Sequence, residues 1–376
     1  MSVIDDLVTI SREVGADPEW VLAGGGNTSV KDQGMLFVKA SGGALSTITA
    51  DGFVRMEMAK LTSIWGKHYP DESSAREAQA LADLMAARAV GQEAKRPSVE
   101  TLMHALLSFT FVVHTHPAIV NGITCSQDGE AAAIRVLGGD ILWIPTVNPG
   151  YILAQTLKSA VDRYVADHGA APAIILLQNH GLVVAADSIR EIRTLNDRII
   201  ASIRHHVKRH PDLSPVAVAK TTVDDVLAAT KAALGVPDAK FFLNRELSRA
   251  IGNRTTLAPL LSTFSPDHIV YAGVEPLVVS SPAEIDPAAK EYRARLGTEP
   301  KVVVFLGVGV VAIGHNSKAV ATAEALFIDA LKVATYAESF GGYRFLPQDQ
   351  ISFIRNWEVE SYRARESLGK DDPGST

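Results

Sequence analysis

Two histidines one residue apart close the run Phe111-Val-Val-His114-Thr-His116-Pro117. In a strand, residues two apart share a face. His114 and His116 would then present their imidazoles side by side, with Cα atoms roughly 6–7 Å apart. Histidine is the commonest metal ligand near neutral pH, and such a pair suits two ligands of one ion. The plainer reading is two polar residues at a strand end. A third histidine, His180, sits in Gln178-Asn-His-Gly181, between the apolar runs Ala173–Leu177 and Leu182–Ala185. A tight turn between two buried strands is a costly place for a polar ring without a partner. His180 is therefore the natural third ligand. Glu100 opens a helical run that begins at Arg96-Pro-Ser-Val-Glu100, extends to about Ser108 and returns directly into the histidine strand. With Ser98 as N-cap, Glu100 would complement the helix dipole; equally, this helix would deliver a carboxylate to the metal. His104, one turn later, reads as a core residue. Three histidines and a carboxylate, with one position left for substrate, is the pattern of a catalytic metal centre, whereas a structural zinc module would use cysteines. His205, His206 and His210 read as a solvated helix end.

These residues need elements to hold them. Val3, Leu7, Ile10 and Val14 have the spacing of an amphipathic helix. Gly24-Gly-Gly26 precedes Asn27, and a hairpin follows: Thr28–Lys31, a turn at Asp32–Gly34, then Met35–Lys39. Ala40-Ser41-Gly42-Gly43 makes a second small-residue turn at once. The absence of a following helix rules out a dinucleotide fingerprint. The two turns either close on one anion with free N–H groups or are two ordinary β-turns. Further helices are expected over Ser73–Ala89, Ala118–Thr124, Tyr151–Ala166 and Ser188–His206, and a strand over Ile141–Ile144.

The later half echoes the earlier one. Pro300–Ala312, PKVVVFLGVGVVA, resembles Pro172–Ala185, and each is followed by a loop and a long helix, Ser317–Phe340 in the second copy. In this register Val308 stands opposite His180. Pro266–Tyr271 takes the place of the histidine strand but carries no HxH. The expectation is a degenerate, metal-free copy of the same fold. Gly307-Val-Gly309 is not a nucleotide loop, because it joins strand to strand. The expected organisation is a metal-bearing domain over 1–212, a second α/β domain over 213–369, and a disordered polar tail over 370–376.

Composition sets the outer bounds. The chain has 376 residues, 47% of them hydrophobic and 21% charged, enough for two cores. Its net charge of −6 argues against nucleic acid or an anionic membrane as partner. Cys125 is the only cysteine, so an intrachain disulfide is excluded and a reducing compartment fits. No signal peptide or membrane span is apparent at the start or in any apolar run. A cytoplasmic location is expected.

Five blocks together, Gly26-Asn-Thr-Ser29, Ala40-Ser-Gly42, Pro97-Ser-Val-Glu100, His114-Thr-His-Pro117 and Asn179-His-Gly181, resemble the class II aldolase/adducin family over roughly residues 1–210. The later half looks like the extra region of long bacterial aldolases related to rhamnulose-1-phosphate aldolase. In bifunctional relatives that region precedes a short-chain dehydrogenase, which is not expected here. The resemblance implies an αβα sandwich around a largely antiparallel sheet and a homo-oligomer, dimer or tetramer. It also implies a zinc-dependent aldolase acting on a sugar phosphate or sugar acid through an enediolate, with manganese, cobalt or iron as other candidate ions. By the same resemblance, His114, His116 and His180 hold the metal and Glu100 is the acid/base. Asn27, Ser41, Gly42 and Ser98 bind the substrate phosphate. The hairpin adds Lys39, a cation beside Ser41 suited to the same anion.

Two departures qualify the resemblance. Val99 stands where the fuculose-phosphate pattern has a second serine, which makes a carboxylate-bearing substrate an alternative. Its catalytic tyrosine also has no clear counterpart near Ala131–Arg135. A decarboxylase or epimerase would use the same chemistry. An adducin-like scaffold would have no physical reason to keep all three histidines and Glu100.

Overall fold

The computed structural model describes residues 2–359, 362 and 366; the tail expected to be disordered, 370–376, lies outside them. The first sheet contains β1 (Asn27–Asp32), β2 (Met35–Lys39), β3 (Phe53–Glu57), β4 (Phe111–Thr115), β5 (Leu142–Ile144), β6 (Ile174–Leu177) and β7 (Gly181–Ala186). Their order is β3-β2-β1-β4-β7-β6-β5, antiparallel throughout except for the β5–β6 pair. Gln33 and Gly34, with φ of 48° and 77°, close the β1–β2 hairpin in two residues. Both left-handed conformations match the twist of the strands they join.

Alternation along the strands sorts the core into two faces. Val112, Ile175, Leu177, Val183 and Ala185 pack under the Thr101–Leu106 and Tyr151–His168 helices. Val113, Leu176, Leu182 and Val184 face the Val3–Ala16, Ala118–Thr124 and Ile189–His206 helices. Helices cover both faces, which is the αβα sandwich. The histidine strand β4 lies at its centre, between β1 and β7.

The second sheet contains β8 (Asp238–Phe242), β9 (Leu277–Val279), β10 (Val302–Phe305) and β11 (Gly309–Gly314), in the order β8-β11-β10-β9. It repeats the β4-β7-β6-β5 half of the first sheet. The β9–β10 pair is parallel like β5–β6, and the others are antiparallel. Register is conserved as well: Ile174 pairs with Val184 as Val302 pairs with Ala312, and Leu177 with Gly181 as Phe305 with Gly309. Asn179 and Gly307 hold the same place in the two turns, with φ of 55° and 72°.

One expectation is corrected here. Pro266–Ala272 is a helix, so it is not the counterpart of the histidine strand. That counterpart is β8. His114 pairs with Val183, Phe241 pairs with Val311, and Val183 and Val311 are equivalent, so Phe241 stands where the first copy has His114. A Cβ on Gly309 would collide with the Phe241 ring, as one on Gly181 would meet His116 Cδ2 at 2.6 Å. The second copy thus carries hydrocarbon where the first has an imidazole. The two halves pack back to back: the Ser317–Ala337 helix lies along the Ala118–Thr124 helix, and one core cluster runs from Leu7 to Phe340 through both sheets. No helix among the described residues is long and apolar enough to cross a membrane.

Candidate metal centre

The β4 strand carries His114 and His116 to the end of the sheet, and the β6–β7 turn brings His180 beside them. One ring nitrogen from each lies within 4.8 Å of the others. The partners on the far side of each ring set its protonation. His114 Nδ1 donates to the Leu182 carbonyl at 2.9 Å. His116 Nδ1 donates to Asp267 Oδ2 at 2.6 Å. Both Nε2 atoms therefore carry lone pairs, and they face each other at 3.0 Å. Glu100 adds a carboxylate: its Oε1 is 3.2 Å from His180 Nε2 and 3.5 Å from His114 Nε2. Acceptors converging on acceptors repel unless a cation lies among them. This donor set fits a divalent metal held by His114, His116 and His180. Burial first, opposed by Glu100, pulls His114 down to about 3, so its ring stays neutral and able to ligate near neutral pH.

Glu100 is aimed by a buried chain. Burial raises its carboxyl, but positive charge at the His114 and His180 side, with hydrogen bonds from His180 and Asn27, draws it well below the ordinary carboxylate range. Asn27 Nδ2 donates to Glu100 Oε2 at 2.5 Å. Asn27 Oδ1 accepts from His104 Nε2, and His104 Nδ1 accepts from the Ser29 hydroxyl at 2.7 Å. Burial lowers His104 to about 3, consistent with this neutral tautomer. His104 is in the core, as expected, yet it also fixes the amide that orients Glu100.

The Ser98 cap is corrected by the structure. The helix begins at Thr101, with Glu100 in the N-cap position and no side-chain cap bond. Ser98 N donates to Lys39 O at 3.1 Å, and Pro97 bridges Ala40. These sheet-like ties keep the chain extended past Ser98. The Ser98 hydroxyl instead accepts from the Glu100 N–H at 3.2 Å.

Asn27, Lys39, Ser41, Gly42, Ser98, Glu100 and His180 line one cleft of about 500 Å³. Lys39 is 3% exposed, and its ammonium donates to the Gly24 carbonyl at 3.3 Å. All nine expected site residues thus meet at or beside one centre, His114 and His116 through their approach to Glu100 and His180.

The second half contributes residues that no local motif announced. Asp267 lies on the Pro266–Ala272 helix and orients His116. A Cβ on Gly25 would run into Asp267 Oδ2 and approach His116 Nδ1 at 3.3 Å, so only glycine lets the Gly24–Gly26 loop pack against this pair. On the same helix His268 bonds Ser265 Oγ at 2.9 Å and Asp329 Oδ2 at 3.1 Å. Asn179, next to His180, donates to the Phe264 and Arg344 carbonyls at 3.1 and 2.9 Å. Pro266 before an apolar run, with Ser265 ahead of it, was the helix-start signal that would have revealed this element.

Comparison with known proteins places the chain in a family. Residues 5–204 match the model of the class II aldolase and adducin N-terminal domain, and residues 286–363 match that of the aldolase class II second domain. The uncharacterized oxidoreductase YuxG of Bacillus subtilis is 25% identical over 412 aligned positions, which cover 96% of this chain and 58% of that protein. The chain therefore spans a little over half the length of that relative. Among solved structures, the N-terminal class II aldolase domain of a conserved Thermoplasma acidophilum protein is 29% identical. The match covers 54% of this chain and 93% of that one, with a TM-score of 0.47. YgbL of Klebsiella pneumoniae, a putative aldolase/epimerase/decarboxylase, is 19% identical over 54% of this chain and 86% of that one, with a TM-score of 0.38.

Proposed function

Because the chain belongs to the class II aldolase and adducin family, we propose that it is a zinc-dependent lyase. Its reaction is reversible aldol cleavage of a ketose 1-phosphate or a related sugar acid. The observation that carries this reading is the convergence of three imidazoles and Glu100 on one point. The metal-bearing unit is 1–212, and 213–369 is its metal-free companion.

His114, His116 and His180 would hold the ion, which when bound supplies Lewis-acid polarisation of a substrate carbonyl. In cleavage the C3–C4 bond breaks, its electron pair passes to C3, the C4 hydroxyl loses its proton and an aldehyde leaves. Glu100 Oε1, ionised at the start, takes the C4 hydroxyl's proton as the bond breaks and returns it to C3, and the two transfers run backwards in aldol synthesis. Asn27 keeps the carboxylate turned toward the histidines. Lys39, Ser41, the Gly42 backbone and Ser98 bind the substrate's anionic end. Lys39 is the only cation lining this cleft among the described residues, and Val99 offers no second hydroxyl. That single charge favours a carboxylate as much as a phosphate, and it keeps sugar-acid decarboxylation or epimerisation as the second reading.

Metal content of the purified protein and of its His114→Ala variant, followed by assays on ketose 1-phosphates and sugar acids, tests the proposal. About one zinc per chain, lost in the variant, with carbon–carbon cleavage of one substrate class, is the expected result. No metal in either protein after reconstitution would leave the scaffold reading in its place.

A further inference from the structure

The polar cleft described above is nearly closed. Of its roughly 500 Å³ of unfilled space, only about 30 Å³ is open to the centre of a water molecule. At roughly 10–15 Å³ per water, that is room for about two waters. No sugar phosphate enters it as it stands, so one of its walls must move. The walls from the first half are strand ends and turns tied into the sheet; Ser41 N, for one, donates to the Arg96 carbonyl at 2.8 Å. The second half supplies Pro266, in a helix buried along its whole length, and Val359, which follows the Gln348–Asn356 helix and is 3% exposed.

Val359 belongs to a strap across the mouth of the cleft. Trp357 opens it: a Cβ on Gly150 would meet Trp357 Cη2 and Cζ2 at 3.0 Å each. Glu358 accepts two bonds from the Arg96 guanidinium, at 3.0 and 2.7 Å, and the same guanidinium lies 4.3 Å from the centre of the Tyr362 ring. Glu366 rests on the Ser41–Gly42 turn itself. A Cβ on Gly42 would collide with Glu366 Cβ and meet its Cγ at 3.2 Å, so glycine there is what lets Glu366 seat. The Glu366 carboxyl carbon is one bond further on, within about 5 Å of that point. Glu358, Tyr362 and Glu366 are each helical and spaced four apart, the spacing that puts side chains on one face. Glu358 is 61% exposed, and an ion pair open to water on one side holds weakly. This wall is the one that can lift.

We propose that the strap is an autoinhibitory cover of the cleft. Glu366 stands at the Ser41–Gly42 turn in place of the substrate's anion, Val359 closes the wall, and Arg96 latches both through Glu358 and Tyr362. An arriving anion displaces Glu366, the latch opens, and the strap lifts from the mouth. The inference rests on the anion-binding role given above to Ser41 and Gly42. Two unit charges about 5 Å apart in a water-like medium repel enough to weaken anion binding about fourfold. The cover therefore raises the substrate concentration the site needs and does not forbid turnover.

The test titrates inorganic phosphate into the purified full chain by calorimetry, as wild type, Glu366→Gln, Glu358→Ala and Asp167→Asn. Asp167 is at the far end of the Tyr151–His168 helix, roughly 24 Å from Tyr151 by the helix rise, and controls for net charge alone. Glu366→Gln and Glu358→Ala are expected to bind phosphate about fourfold tighter than wild type. Asp167→Asn should match wild type, because salt screens a charge at that range. Phosphate should also change the fluorescence of Trp357, read as the difference between wild type and Trp357→Phe, as the strap lifts. Unchanged or weaker phosphate binding in Glu366→Gln overturns the cover. If phosphate binds none of the proteins, the anion-binding reading of the turn fails separately, and amide hydrogen exchange decides the strap. The peptide containing Ser41 to Gly43 should then exchange several-fold faster in Glu358→Ala than in wild type; equal exchange would refute the cover.

Discussion

Replacing Asp267 with alanine removes a carboxylate that lies 2.6 Å from His116 Nδ1, in a pair whose side chains are only 10% and 5% exposed. Outer partners of this kind fix the ligand's tautomer and ring angle, and their loss costs about 10–100-fold in metal affinity. In free energy that is about 1.4–2.7 kcal/mol. The metal-free protein loses stability too, because the imidazole N–H is left buried and unpaired at a cost of about 1–3 kcal/mol. Asp267→Asn keeps an oxygen acceptor without its charge, so its affinity should fall between the two. Zinc affinity is read by competition with a chromophoric chelator, and folding by circular dichroism on the same samples. A folded Asp267→Ala protein that binds zinc within twofold of wild type would refute the idea that the second half orients His116.

Glu100→Gln should keep its zinc and lose about 10²–10⁴-fold in turnover, the usual share of a positioned acid/base; near-wild-type turnover on the identified substrate would remove Glu100 from the chemistry. Gly25→Ala should lower zinc affinity without touching any ligand, because the new Cβ displaces Asp267; unchanged affinity in the chelator assay would count against the close packing. Lys31 is buried, which lowers it to about 8, with Asp187 opposing. Between about 8 and its unfolded value near 10.4, the unfolded chain binds the extra proton, so unfolding free energy should rise with pH across that window. Urea midpoints at pH 7.5 and 10 should show this rise in wild type and a flatter response in Lys31→Met; equal slopes would contradict it.

The histidine cluster was legible because its signals are local. HxH at the end of an apolar run and a histidine in a two-strand turn are each set by backbone periodicity over a few residues. The hairpin and the repeated strand pairs were readable for the same reason. Asp267 was not. All seven residues of the Pro266–Ala272 helix are buried, so it has no polar face, and periodicity cannot separate a short buried helix from a strand. The true counterpart of the histidine strand, Asp238–Phe242, opens on aspartate and carries lysine at its centre, which leaves only Phe241 and Phe242 as a β-signature. Ser98 misled because its competing bonds go to Lys39 and Ala40 across the fold, which no helix-start pattern records.

The helix Ser317–Ala337, pressed between the two sheets, has a consequence for how the molecule comes apart. Its buried residues, among them Phe327, Leu331 and Val333, belong to the same apolar cluster as Ile119, Ile123 and Ile199 of the first half. Cutting the chain after residue 212 would bare that surface and remove Asp267 together with the carbonyls that hold Asn179. The two copies of the fold have therefore given up the independence that duplicated domains ordinarily keep. They should melt in a single calorimetric transition, and zinc bound at one end should raise the melting temperature of both, by the linkage that any native-state ligand exerts on the whole cooperative unit.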